Sequence, residues 1–262
     1  MALGFVAVSV AVRMVLWESA SFLGEKSLVR NFLVGAVMLG LVVAATVFVQ
    51  RRSRAIERPG LILIPTATFA TARLALIGLL AGSAIFAIVF ATVLATGGLE
   101  IAWRPVEPLT FLGTLAAGLF ATILNAAWEE YTFRGWAFSV CAKAIGPHAI
   151  AIGLGAAFGL AHLFNPHPTV AAIVSVALAG FLLSYAMLVS RNILLPIGLH
   201  VGWNFTQSLL TSPRFWESTT SADPWLSGGE WGLEASLAGI IVTTLGAAIA
   251  FAAFLRFERR SV

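Results

Sequence analysis

Apolar runs near twenty residues long recur along the whole chain, separated by short links that carry the charges and most of the Gly, Pro and Asn turn residues. At about 1.5 Å rise per residue, each run can cross a hydrocarbon core of about 30 Å as a helix. Runs such as 32–49 (FLVGAVMLGLVVAATVFV) lack the every-other-residue alternation of a membrane barrel strand, which excludes that architecture. Cutting at charge clusters and turn residues predicts eight transmembrane helices, over about 4–23, 31–50, 73–98, 109–145, 147–165, 170–190, 192–212 and 235–256. The apolar stretch 60–72 is too short to span and is expected at the interface or as a cap on the bundle. There is no repeat, no low-complexity tract and no room for a soluble domain, so the expectation is one all-α polytopic membrane domain over 1–262.

Composition agrees. The 262 residues are 59% hydrophobic and 11% charged, against soluble norms of about 45–50% and about 25%. A net charge of +4 would suggest nucleic acid in a soluble protein, but here the basic residues sit in the links and report topology. No nucleic-acid partner is therefore expected. An even number of helices puts both termini on one side. Placing them in the cytoplasm gathers Arg51, Arg52, Arg54, Arg58, Lys143, Arg191, Arg256, Arg259 and Arg260 there. The opposite links keep only Lys26, Arg30, Arg104 and Arg214, together with Glu25, Glu100, Glu107, Glu217, Asp223, Glu230 and Glu234. The positive-inside rule thus predicts cytoplasmic termini, with the bacterial cytoplasmic membrane as the expected location. The N-terminal apolar stretch has no basic region before it and contains Arg13 and Glu18, so it is taken as the first helix rather than a signal peptide. One cysteine, Cys141, excludes an internal disulfide. The link 212–234 carries Trp216, Trp225 and Trp231 and is expected to lie over the mouth of the bundle. Gly153, Gly155 and Gly159 suit packing within the bundle or between subunits, which leaves the oligomeric state open.

Ionisable residues near predicted helix ends, namely Arg13, Glu18, Arg73, Lys143 and His148, can snorkel to water. Glu129, Glu130, Arg134, His162 and His200 lie deeper, where a charge costs from ~3 kcal/mol upward, so they should face a polar cavity and have partners. Adjacent helical carboxylates point about 100° apart and cannot share one role. Glu130 stands four residues before Arg134, the favourable order for an ion pair along one face. Glu129 is then left unpaired, and desolvation favours the neutral form of such a carboxylate, which suits a base that takes a proton from water. Phe158 and His162, like His200 and Asn204, are four apart on one helical face. His167, in the NPHPT turn, is expected to be an ordinary surface residue. Gly146-Pro147 breaks the helical run, and Glu129 lies 17 residues before it while His162 lies 15 after, so in an antiparallel hairpin they stand level. His200 comes nine residues after Arg191, or about 13 Å of helix, so the hairpin must project for all three to meet. Since Lys143 and Arg191 mark cytoplasmic ends, the cavity is expected to open to the cytosol. Glu129, His162 and His200 can also ligate Zn2+ with a fourth position left for water, although no HExxH pair is present.

The three signatures Glu129-Glu130-x-x-x-Arg134, Phe158-x-x-x-His162 and His200-x-x-x-Asn204, in that order and with Gly135 after the arginine, resemble the CPBP family of intramembrane proteases. These are the CAAX proteases and bacteriocin-processing enzymes, also called Abi, which include the type II CAAX prenyl endopeptidases. The resemblance covers about residues 110–210, the motif-bearing core. It implies hydrolysis of a peptide bond in a membrane-associated protein or peptide, with prenylated CAAX-type targets among the candidates. It also implies a site of Glu129, Glu130, His162, His200 and Asn204 supported by Arg134 and Phe158: Glu129 activates water alongside His162, and His200 with Asn204 steadies the oxyanion. The family name says metalloprotease, which keeps Zn2+ open. Two other classes compete. One is a non-catalytic scaffold or bacteriocin-immunity protein of the same fold, and the other is a transporter with Glu129, His162 and His200 as a proton relay.

Overall fold

The computed structural model describes residues 2–20, 28–52 and 68–259. Its elements are helices α1 (Ala2–Ser19), α2 (Leu28–Arg52) and α3 (Phe69–Ala95), strand β1 (Leu99–Trp103), and helices α4 (Pro108–Arg134), α5 (Trp136–Ile145) and α6 (Pro147–Ala161). A 3-10 turn at His162–Phe164 precedes α7 (Val170–Ser190) and α8 (Leu194–Leu210). Strand β2 (Trp216–Thr220), the short α9 (Pro224–Ser227), a 3-10 turn at Leu233–Ala235 and α10 (Leu237–Arg259) complete the chain. The protein is an all-α polytopic bundle.

Among the described residues, six segments are long and apolar enough to span a membrane: Phe32–Val49, Phe69–Ala95, Pro108–Ile145, Pro147–Phe164, Val170–Ser190 and Leu237–Arg259. The two other expected spans form the helices α1 and α8, which are not among these six segments. Large apolar side chains are exposed on the outside of the bundle, among them Leu80 at 61% and Ile249 at 71% exposure, as lipid-facing residues are.

Three boundaries differ from expectation for local reasons. Helix α3 begins at Phe69 rather than near 73 because Thr68 and Thr71 form a reciprocal cap, each side chain accepting from the other's backbone N–H. This absorbs 69–72 of the unassigned stretch; 60–67 lies outside the described residues. The long run 109–145 breaks at Gly135, where a Cβ would strike the Tyr131 carbonyl and where α5 starts afresh with Ser139 N–H on the Gly135 carbonyl at 3.2 Å. The links 99–103 and 216–220 pair as an antiparallel ribbon, Leu99 opposite Thr220 and Trp103 opposite Trp216, under a cluster of Trp103, Phe111, Phe215 and Trp216. No alternation in the sequence announces this ribbon; cross-strand aromatic packing makes it. Arg30, counted above as a link residue, is instead inside α2 and 2% exposed. Its guanidinium lies over the Trp17 ring and donates to the Trp17 carbonyl at 2.6 Å, filling one of the acceptors that the end of α1 leaves open.

Small residues let backbones touch. Gly78 and Gly82 of α3 meet Gly198 and Gly202 of α8, each at four-residue spacing, and Gly155 and Gly159 of α6 abut Gly180 and Ala177 of α7. Gly153 faces open space. Because Gly82 lies against the Leu199 carbonyl, one residue before His200, Gly82→Val is expected to part α3 from α8 and lower the detergent thermal midpoint. An unchanged midpoint would show that α8 is not held by this contact.

Candidate active site

The C-terminal turns of α4 carry Glu129, Glu130 and Arg134, the end of α6 carries Phe158 and His162, and α8 carries His200 and Asn204. Packing of α4 on α8, of α6 on α7 and of α7 on α8 brings all three motifs together. Glu129, Phe158, His162, His200 and Asn204 line one cavity of about 390 Å³, joined there by Ser175, Trp203, Gln207 and Glu234.

Glu130 and Arg134 stand behind that lining, both fully buried. The expected i,i+4 pair is present, with Arg134 Nη1 donating to Glu130 Oε1 at 3.1 Å. Arg134 also donates from Nη2 to the Gly180 carbonyl at 2.8 Å and lies over the Phe158 ring at 4.5 Å. Its charge is thus matched by one carboxylate, one carbonyl and one aromatic face. The same Glu130 oxygen accepts from His200 Nδ1 at 2.9 Å. A carboxylate only accepts, so Nδ1 carries the proton, and His200 Nε2 is a donor only when the ring is protonated. Glu130 therefore orients His200 rather than facing the cavity.

Glu129 points the other way, as the 100° helical step requires. Its Oε2 is 3.7 Å from His200 Nε2 and, buried, has no hydrogen-bond partner among the described residues. His162 caps α6, and its Nδ1 donates to the Phe158 carbonyl at 2.8 Å, which leaves Nε2 to accept. Counting to the Gly146-Pro147 break placed Glu129 and His162 level, and they do share a cavity; the run 109–145, too long for one plain span, is divided at Gly135 into α4 and α5. His167 lies outside this cavity and pairs with Glu230 at 2.8 Å, both exposed.

Two features had no clear signal in the sequence. Glu234, expected only as a link charge, lines the cavity with both carboxylate oxygens occupied: Trp231 Nε1 donates to Oε1 at 2.7 Å and Trp203 Nε1 to Oε2 at 3.3 Å. This sets Trp231 of the tryptophan-rich link against a residue that lines the cavity. A second cavity, about 610 Å³, shares Glu129, His162 and Asn165 with the first and is walled by Arg13, Met14, Trp17 and Glu18 of α1. Arg13 lies over Trp17 at 4.6 Å. It is part of the site's wall rather than a residue reaching for water at a helix end.

Lys143 and Arg191 do not line either cavity, and the lining climbs α8 from His200 through Asn204 to Gln207 and Ser208 and ends at Glu234. Phe138, Met187 and Ile193, near the helix ends that carry Lys143 and Arg191, have no exposed surface.

Among the described residues, no three His, Cys, Asp or Glu side chains gather as a metal-ligand set. Residues 111–206 match the Rce1-like family, described as type II CAAX prenyl endopeptidase Rce1-like, which bears out the resemblance drawn from the three motifs. No curated protein matches the chain significantly.

Proposed function

We propose that this chain, which carries the Rce1-like core, is an intramembrane endopeptidase in which Glu129 activates water against a peptide bond of a membrane-associated protein or peptide. The observation that carries the proposal is a buried carboxylate oxygen of Glu129 without a hydrogen-bond partner among the described residues, facing a cavity that also holds His162, His200 and Asn204. A water between Glu129 and His162 Nε2 gives up a proton to Glu129 as its oxygen bonds to the carbonyl carbon. The carbonyl oxygen takes hydrogen bonds from the Asn204 amide and from Nε2–H of protonated His200. The carbon–nitrogen bond then breaks, and Glu129 returns the proton to the leaving amine. Glu130, Arg134 and Phe158 position these groups.

The steps above use only side chains of this chain, while Glu129, His162 and His200, which line one cavity, are the residues that would hold Zn2+. Prolonged chelation is therefore expected to leave cleavage intact. Loss of cleavage restored by Zn2+ alone would instead make Glu129, His162 and His200 ligands. The same reading takes prenylated CAAX-type proteins as candidate substrates and, from the basic links, puts both termini in the cytoplasm of a bacterial cell.

The test compares protein termini in host membranes carrying wild type or Glu129→Gln at equal levels, which requires no guess about the substrate. New termini that depend on Glu129 support the peptidase and identify the cleaved bond. Identical termini with an undiminished phenotype in the variant would favour a non-catalytic scaffold or immunity protein.

A further inference from the structure

Among the charged groups that line the catalytic cavity, Glu234 has no part in the chemistry above. It stands in the 3-10 turn Leu233–Ala235, between Leu233 at 4% and Ala235 at 3% exposure. Ser236 closes that turn: its hydroxyl donates to the Leu233 carbonyl at 2.6 Å and accepts from the Gly239 N–H at 3.1 Å. The backbone under Glu234 is therefore fixed. Its side chain is fixed as well, since Trp231 Nε1 and Trp203 Nε1 take one oxygen each, and Trp203 packs edge-on against the fully buried Phe86, ring centroids 5.3 Å apart. Trp203 lies three residues after His200 and four before Gln207, on the face of α8 that carries the site. Three residues rise about 4.5 Å, so the carboxylate is tied to a residue about one helical turn from His200.

What these partners do not supply is charge. An indole N–H is a neutral donor, and no ion pair among the described residues includes Glu234. A carboxylate offers about four acceptor sites, of which the two indoles take two, so acceptor capacity remains for a further donor. The half-buried wall of the cavity thus carries a negative charge held in place by two dipoles and matched by no cation. The same cavity is lined by Ile85, Leu182 and Leu199, an apolar surface of the kind along which the aliphatic stem of a lysine or arginine lies while its charged head reaches a polar partner. We infer that Glu234, held by Trp203 and Trp231, is a subsite for a cationic side chain, a Lys or Arg of the peptide being cut, a few residues from the scissile bond. That the cation belongs to the substrate rests on the peptidase reading; the cation site itself does not.

A single cysteine reads that charge. Ser208 lines the same cavity and is exposed, and its hydroxyl bonds only the Phe205 carbonyl of its own helix, so Ser208→Cys keeps the fold. In the full chain in detergent, its rates of reaction with a cationic and an anionic methanethiosulfonate of similar size are taken as a ratio and set against the ratio for a free thiol. Wild type, with Cys141 as its one cysteine, supplies the background. The cationic reagent is expected to be favoured, and adding Glu234→Gln to lower the ratio about threefold or more, while Glu234→Asp, which keeps the charge, retains most of it. Both rates are read on one protein, so a change in access to the cysteine cancels. A ratio unchanged by Glu234→Gln overturns the inference, even with a lowered thermal midpoint, because a tie that only pins the turn to α8 predicts that result. Glu234→Ala meets neither indole with a donor and gives the same readout should the glutamine variant not fold. Where Glu129-dependent termini are found, Lys or Arg is expected to be favoured about tenfold at one fixed position near the cleaved bond, the worth of one charge-assisted hydrogen bond, and the preference to vanish in Glu234→Gln. No preference, or one that survives the substitution, overturns the inference about substrate and leaves the peptidase standing. If no such termini exist, the peptidase reading fails, and the ratio at position 208 still decides the cation site.

Discussion

Glu129→Gln is expected to abolish turnover while leaving the protein folded. The substitution keeps the size and shape of the side chain and removes only its capacity to take a proton. Its buried Oε2 makes no hydrogen bond among the described residues, so no structural bond is lost and the thermal midpoint in detergent should stay at the wild-type value. Removing a positioned general base costs typically about 10²–10⁴-fold in rate, and here the same group also returns the proton to the leaving amine. Residual turnover near wild type would remove Glu129 from the chemistry. Glu130→Gln makes the contrast, because Glu130 holds both Arg134 and His200. It is expected to lose stability and activity together, whereas the neighbouring variant loses activity alone.

The largest effect on stability is expected from Arg134→Ala. Its guanidinium is fully buried and reaches Glu130, the Gly180 carbonyl and, at 3.5 Å, the Ser184 hydroxyl, so it ties the end of α4 to the middle of α7. Truncation leaves Glu130 buried with only His200 as a partner, and breaking such a pair from one side costs about 3–5 kcal/mol. The thermal midpoint should fall, and activity should fall with it, since Glu130 would no longer be fixed to orient His200. Arg134→Lys is expected to recover only part of the loss, because an ammonium can replace the contact to Glu130 but not the forked geometry that serves Gly180 as well. An unchanged midpoint in Arg134→Ala would mean that the pair contributes nothing to the fold.

Much of the site was legible along the chain because it is written in helical spacing. Four-residue separations put Glu130 with Arg134, Phe158 by His162 and His200 with Asn204 on common faces, and the 100° step set Glu129 and Glu130 on different tasks. Which histidine each carboxylate serves was not legible. His200 bonds Glu130 across 70 positions of sequence, a contact that only the packing of α4 and α8 creates. Glu234 looked like a link charge because its two indole partners lie on α8 and in the preceding loop, and Arg13 looked like a helix-end residue because its neighbour Trp128 is on α4. The ribbon escaped notice for a related reason: a two-stranded pair between distant links leaves no periodic trace.

What the sequence by itself determined is the class of molecule: apolar length sets the membrane helices, link charge predicts their orientation, and three spaced motifs point to the chemistry. Only the tertiary structure decided where the long run 109–145 breaks, which histidine Glu130 serves, and that Glu234 and Arg13 reach the cavities. The physical reason is that hydrophobicity and helical period are local properties of a chain. Which side chains of distant helices meet depends on packing, as where His200 of α8 bonds Glu130 of α4 and where Phe138, Met187 and Ile193 come together without exposed surface.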